Sequence, residues 1–303
     1  NVETDTAVHF ASAPTNSNNK GITATVNYVV DTTAPVNFTP TANPATWTSN
    51  TTPTVTFSTT DALAGINYYQ VKIDSGGYTT QTSPYTLPAQ TDGTHTITVK
   101  AVDRADNSRE ASTITVYIDT TAPTGTTLSF GAITASSIIA QVSGSQDANA
   151  GLHSTAPYYF QETNTSSNTG WQAGTNWTHS QLSANTQYTY QVKARDNTDT
   201  PNQSAFTTAQ SKYTLIQTPT AISFDNIAVN SITISTSGTL SNLTSGSSGL
   251  YFDETSGNTG GTDSSWTQTN SYQNTGLSEN TQYAYKVKAR NGDADETSYT
   301  AES

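Results

Sequence analysis

Five aspartates are the residues of this chain best suited to chemistry: Asp31, Asp61, Asp103, Asp106 and Asp119. Loops rich in carboxylates and backbone carbonyls supply hard oxygen ligands, and these suit Ca²⁺. No strict DxDxDG loop accompanies them, and each has an ordinary alternative. Asp61 and Asp103 could close Asx turns, and Asp31 and Asp119 could cap linkers. Asp196, Asp199, Asp293 and Asp295 are weaker candidates of the same kind. Calcium is therefore the one cofactor the sequence points to.

Catalytic constellations are missing from the sequence. The four histidines, His9, His95, His153 and His179, are scattered and share no metal-binding spacing. Neither HExxH, GxSxG, GxGxxG nor a Walker loop occurs. Neighbouring carboxylates such as Asp253/Glu254 and Asp293/Asp295 read as turn-formers and solubilising charges. A glycosidase needs two carboxylates across a cleft, and a thin sandwich offers none. The expectation is a protein that is not an enzyme. Trp47, Trp171, Trp177 and Trp266 could stack on sugars, or could be buried or protect sheet edges. Trp177 and Trp266 stand at different distances from the repeated segment described below, so they need not share a role.

The rest of the composition narrows the field further. Lys and Arg number only 11 and the net charge is −12; a nucleic-acid binder needs a basic stripe. No apolar run approaches the ~18 residues of a membrane span. Cys and Met are both absent, which excludes disulfides and cysteine-ligated metals. Hydrophobic residues are 32% and charged residues 11% of the chain, while it holds 61 Thr, 35 Ser and 25 Asn. Low hydrophobicity can mean disorder. Sixteen Tyr, eight Phe and abundant β-branched residues point instead to thin β-sandwiches with a Thr/Ser exterior.

Elements able to position such residues are legible as repeats. Asp31-Thr32-Thr33-Ala34-Pro35 recurs 88 residues later at Asp119–Pro123, and LSANTQYTYQVKAR at Leu182–Arg195 recurs 95 residues later as LSENTQYAYKVKAR at Leu277–Arg290. Spacings near 90 match a seven-strand sandwich. Val55/Phe57, Tyr69/Val71/Ile73, Ile97/Val99/Ala101 and Ile114/Val116/Ile118 alternate with other residues at period two, the strand pattern. Asp74-Ser75-Gly76-Gly77 reads as a hairpin turn whose glycines supply positive φ. No segment shows a helical period with caps. The fold class expected is all-β, tandem β-sandwiches arranged as beads on a string.

Here the residues carry a family resemblance. Asp61-x-x-x-Gly65-Ile66, the Ile73–Gly77 hairpin, His95–Asn107 and the closing Asp-Thr-Thr-Ala-Pro resemble the bacterial immunoglobulin-like repeats of surface adhesins and extracellular enzymes, over residues 31–123. Asp106 stands where that family often has Gly, so the turn there could differ. Residues 124–217 and 218–303 resemble fibronectin type III domains through Leu182-x-x-x-Thr186-x-Tyr188 and Leu277-x-x-x-Thr281-x-Tyr283. The resemblance implies tyrosine corners at Tyr188 and Tyr283. It also implies central strands at Tyr158–Phe160 and Leu250–Phe252. The usual Trp of the second strand is missing, with Val142 and Thr236 near its place, so a rebuilt core is expected. Adhesin repeats of this look often hold Ca²⁺ near their linkers.

Residues 1–30 align with the end of the 31–123 module and read as the last two strands of a preceding one. The 218–303 module lacks a counterpart of Ser211–Ile216. The expectation is a cut from a longer string, or modules completed by strand exchange between subunits. Sheet edges defended by Thr and Asn with few Lys favour self-association into a fibre or surface array. Six N-x-S/T sequons, at Asn37, Asn50, Asn164, Asn176, Asn202 and Asn242, are no more than this composition yields by chance. Two functions remain: an extracellular or cell-surface structural or adhesive spacer, or accessory modules of a secreted carbohydrate-active enzyme or a glycan-binding adhesin.

Overall fold

A computed structural model describes residues 30–238 and 240–303. The reading of residues 1–30 as two strands, and His9 with it, falls outside these residues except for Val30. Among the described residues there is no helix, and therefore none long and apolar enough to cross a membrane. The described residues divide into two compact units: residues 30–121 with 197–201, and those of 122–196 with 202–303.

In the first unit, β1 (Thr41–Asn43), β2 (Thr54–Thr56) and β5 (Tyr85–Thr86) form one sheet in the order β1-β2-β5. The other sheet holds β3 (Ile66–Ile73), β4 (Thr79–Gln81), β6 (Gly93–Asp103), β7 (Ser108–Glu110) and β8 (Ile114–Ile118). Its order is β4-β3-β6-β7, and β8 also pairs with β6. Period-two alternation sends Val55, Val71, Ile97, Val99 and Val116 into one core, all at most 2% exposed.

Two further cores lie in the second unit. The first is enclosed by β9 (Thr127–Ile133), β10 (Ser137–Ser143) and β13 (Asn176–Ser180), against β11 (Tyr158–Glu162), β12 (Asn168–Gln172), β14 (Gln187–Ala194) and β15 (Gln210–Tyr213). These make a three-stranded sheet, β13-β10-β9, and a four-stranded sheet, β12-β11-β14-β15. The second core repeats the plan. Its sheets are β16 (Ala221–Ala228), β17 (Ser231–Ser237) and β19 (Ser271–Thr275), and the pair β18 (Gly249–Glu254) with β20 (Tyr285–Arg290). Beyond β20, Thr297, Thr300 and Ser303 donate amides to Ala289, Val287 and Tyr285. They follow the course of Ser204, Thr207 and Gln210 along β14. The fold is a tandem of all-β sandwiches.

The parity of two strands organises these cores. Tyr190, Val192 and Ala194 of β14, and Tyr285, Val287 and Ala289 of β20, are all 0% exposed. A buried phenol needs a partner for its hydroxyl. His179 Nδ1 meets Tyr190 Oη at 3.1 Å, and Asn274 Nδ2 donates to Tyr285 Oη at 2.7 Å. Burial pushes both phenols up, Tyr285 to about 12. In the three-stranded sheet of each of these two cores an aromatic ring reaches the core from the strand beside the second one. Trp177 pairs with Ala140 and packs on Phe160 and Tyr190, while Tyr272 pairs with Ile234 and stacks on Phe252.

Two turns differ from the sequence reading or sharpen it. Gly76 and Gly77 do not carry the positive φ of their hairpin; Asp74 does, at 49°. Its carboxylate accepts the Thr96 amide and the His95 ring, a local role open to Asp in the left-handed region. Asp106 also adopts positive φ, at 66°, in the turn between β6 and β7.

Truncating Phe160 to Ala removes a fully buried ring and should cost about 3–5 kcal/mol in denaturant unfolding. Ile227→Ala, at a side chain 71% exposed, should stay within about 0.5 kcal/mol.

Candidate functional site

Of the five aspartates, the structure brings three together. Asp31 precedes β1, Asp61 opens the loop before β3, and Asp103 ends β6. One carboxylate oxygen from each lies within 4.8 Å of the others. Asp103 is wholly buried and the other two are half-buried. Local sequence holds each in place. Asp61 Oδ1 accepts the amides of Leu63, Ala64 and Gly65 at 2.9–3.1 Å. Asp103 Oδ1 accepts those of Ala105 and Asn107. Asp31 accepts Thr33 on one oxygen and Ala64, from the Asp61 loop, on the other. Asn107 ties the set together, donating to Asp103 Oδ2 and to the Asp31 carbonyl. The turn bonds therefore exist beside the convergence.

Burial opposes the charge on Asp61. The Gly65, Leu63 and Ala64 amides, with a hydrogen bond shared with Asp31, outweigh it and hold the carboxyl below its ordinary 3.8. Three carboxyls this close repel one another unless a proton or a cation sits among them. Hard oxygen donors in this number, completed by carbonyls and water, fit Ca²⁺ better than a transition metal.

Asp106 and Asp119 do not join this group. Asp106 is exposed in the β6–β7 turn. Asp119 follows β8, is buried, and accepts the Thr121 amide. Among the weaker candidates, Asp196 binds the Asn202 amide and side chain. Asp199 accepts the amide of Thr200. Asp295 accepts Asn291 Nδ2, and Asp293 belongs to the joint described next.

Sequence reasoning missed Asn185. It sits in the loop before β14 at φ 48° and is 0% exposed. It links the two cores of the second unit. Its Nδ2 donates to the carbonyls of Ser241 and Asn242 at 3.0 and 2.9 Å. Its Oδ1 accepts the Gly292 amide at 2.9 Å and the Ser248 hydroxyl at 3.0 Å. That is the full hydrogen-bonding capacity of an amide side chain. Around it, Asn291 donates to the Thr214 carbonyl, and Asp293 Oδ2 accepts the Tyr213 amide at 2.9 Å and Lys212 Nζ at 3.2 Å. Gly292 is required by close approach, because a Cβ there would collide with the Tyr213 ring. The only sequence signal was the repeat itself, with Asn280 standing in the same turn at φ 53°.

The tyrosine hydroxyls next to these loops bond upstream backbone. Tyr188 Oη accepts Ser183 N at 3.0 Å, and Tyr283 Oη accepts Ser278 N at 2.8 Å. The tryptophans are half-buried. Trp171 and Trp266, 95 residues apart like the repeat, share one environment. Trp171 lies 5.6 Å from Tyr159 and 4.5 Å from the Arg195 guanidinium; Trp266 lies 5.5 Å from Tyr251 and 4.4 Å from Arg290. That spacing was available in the sequence, although Trp177 invites the comparison with Trp266.

The described histidines have separate structural tasks. Burial holds His153 and His179 below 6.5, with Arg195 adding to the effect at His153. At His95 burial also pulls downward. Asp74 Oδ2, 2.8 Å from Nδ1, and the Thr91 carbonyl, 2.9 Å from Nε2, outweigh it and raise the ring above 6.5. Both ring nitrogens face acceptors, as an imidazolium requires.

No family model matches this chain, and no curated protein matches it. Among solved structures it is similar to a two-domain fibronectin type III segment from chicken tenascin. That match has 17% identity and a TM-score of 0.39, and covers 60% of this chain and 98% of that one.

His95 should stabilise the first unit fully below pH 6.5, where its raised folded pKa is satisfied, and lose that contribution as pH rises through the folded value. The difference in melting temperature between the wild type and His95→Ala is therefore expected to shrink from pH 5.5 to pH 8.5. A difference that grows over this range would contradict the imidazolium assignment.

Proposed function

We propose that this chain is a non-catalytic extracellular spacer of immunoglobulin-like and fibronectin type III-like modules, whose work is to hold a fixed geometry. The observation that carries this reading is the joint centred on Asn185. A flexible tether would join two sandwiches through solvated polar linker. Here a buried amide makes four bonds to the second core, and an Asp–Lys pair and a glycine-tyrosine contact flank it. Burying polar groups without partners costs free energy, so opening this joint is disfavoured.

Calcium at Asp31, Asp61 and Asp103 serves the same end in this reading. A cation there would clamp the Asp31 segment to the loops that follow β2 and end β6, removing the repulsion among three carboxylates. The stacked environments of Trp171 and Trp266 favour the spacer over a sugar-binding platform, since cationic side chains lie over both rings.

Asn185→Ala would leave the Gly292 amide and two carbonyls without their partner. A loss of about 2–3 kcal/mol is expected from the unfolding of the second unit. Residual dipolar couplings on the wild type should fit one alignment tensor for residues 122–196 and 202–303; two independent tensors would defeat the spacer reading. For calcium, a ligand held at about 100 times its Kd adds roughly 2.7 kcal/mol. Melting of the wild type should therefore fall on adding chelator, and Asp61→Asn should abolish the difference. An unchanged wild-type melt rejects the metal.

A further inference from the structure

Asn291 and Gly292 are the only Asn-Gly pair in the chain, and both lie in the joint between the two cores of the second unit. Packing demands each of them. Asn291 is wholly buried, and its Nδ2 donates to the Thr214 carbonyl at 3.3 Å and to Asp295 Oδ2 at 3.2 Å. Gly292 lies where a Cβ would collide with the Tyr213 ring. The pair also has a chemistry of its own. With no Cβ on the following residue, the backbone nitrogen can close on the asparagine side-chain carbonyl carbon.

The joint holds the two reacting groups in opposite ways. The electrophile is prepared. Asn291 Oδ1 accepts the amides of Asp293 at 3.1 Å and Asp295 at 2.8 Å, and donors on a carbonyl oxygen stabilise the charge that attack places there. These two bonds lie within residues 291–295 and do not depend on the first core. The nucleophile is withheld. The Gly292 amide donates to Asn185 Oδ1 at 2.9 Å, and the Gly292 carbonyl accepts the Ser247 amide at 3.0 Å. Asn185 thus holds the proton that must leave before the nitrogen can attack.

We propose that Asn291 is a self-modification site gated by the joint: opening the joint lets Asn291 convert to aspartate or isoaspartate, and the product no longer closes it. The Gly292 nitrogen loses its proton and bonds to Asn291 Cγ. The Cγ–Nδ2 bond breaks, and Nδ2 leaves with a proton as ammonia. Water then opens the succinimide at either carbonyl, and no electrons are gained or lost. The product carries a carboxylate where Nδ2 donated, so an acceptor faces the Thr214 carbonyl and a negative charge faces Asp295. The repeat shows why this matters. Asp196, 95 residues earlier, is a carboxylate at the equivalent place, but it is met by donors, the Asn202 amide and Nδ2. The inference rests on the joint geometry and not on the spacer role.

The test follows Asn291 by mass spectrometry in the full chain at neutral pH, beside a capped peptide of residues 287–297, VKARNGDADET. The wild type is expected to convert at least about a hundredfold more slowly than the peptide, because its rate is that of the open form multiplied by the open population. Asn185→Ala should speed conversion by roughly 30-fold or more, the change in population that its expected loss of stability implies. Phe160→Ala is the control: it costs at least as much stability without touching the joint, and should speed conversion less. Equal rates in the wild type and the peptide overturn the proposal. So does conversion in Phe160→Ala as fast as in Asn185→Ala, because global unfolding would then be the gate. Converted protein, separated by its added charge, should no longer fit one alignment tensor over residues 122–196 and 202–303; a single tensor there overturns the effect on the joint. An unprotected Asn291 in a wild type with one tensor would defeat this inference alone. Two tensors in unconverted protein, with the order of rates kept, would defeat the spacer reading alone.

Discussion

The structure of the second unit depends on one constraint: a buried polar atom must find a partner inside the protein. Two central strands drive a tyrosine ring into each core, where the hydroxyl is cut off from water. A neighbouring strand answers with His179 in one core and Asn274 in the other. The same constraint recurs at the boundary between the cores, where Asn185 is buried and every hydrogen-bonding position of its amide is used. Chains this poor in hydrophobic residues have little apolar surface to bury. Their specificity rests on polar groups that fit only one arrangement.

This explains how so much Thr, Ser and Asn can coexist with a defined fold. Thr suits an extended, half-solvated strand, and its hydroxyl also closes local turns. Thr214 Oγ1 meets the Thr186 amide, and Thr207 and Thr300 bond the amides of Val192 and Val287 at matching places in the two cores. Aspartate plays the corresponding part at the loop ends of the first unit. There, single carboxylates collect two or three amides each, and the collecting brings three of them close together. The metal candidate arises from turn formation carried one step further, so Asx turns and an ion site were never exclusive readings of Asp61 and Asp103.

Some of this was legible in advance and some was not. The strands around Val71, Ile97 and Val192 were readable because alternation is a local property of the chain. The repeat offset of 95 was enough to equate Trp171 with Trp266, whose surroundings match to within 0.1 Å in ring and cation distances. The turn at Asp74 was misassigned to its glycines because φ there is set by the carboxylate bonding back to β6, a contact across 22 residues. Asn185 carried no signal of its burial, since its partners lie 56 to 107 residues away.

What the sequence determined by itself was the kind of structure: all-β sandwiches in series, with period-two faces, a repeating central strand and no catalytic constellation. These follow from short-range periodicity and from residue types that either occur or do not. Only the tertiary structure decided which aspartates converge and which amide locks two cores together. Those outcomes depend on where loops from distant strands meet. Such meetings are fixed by packing and by satisfaction of buried polar groups, and neither leaves a trace in the spacing of residues along the chain.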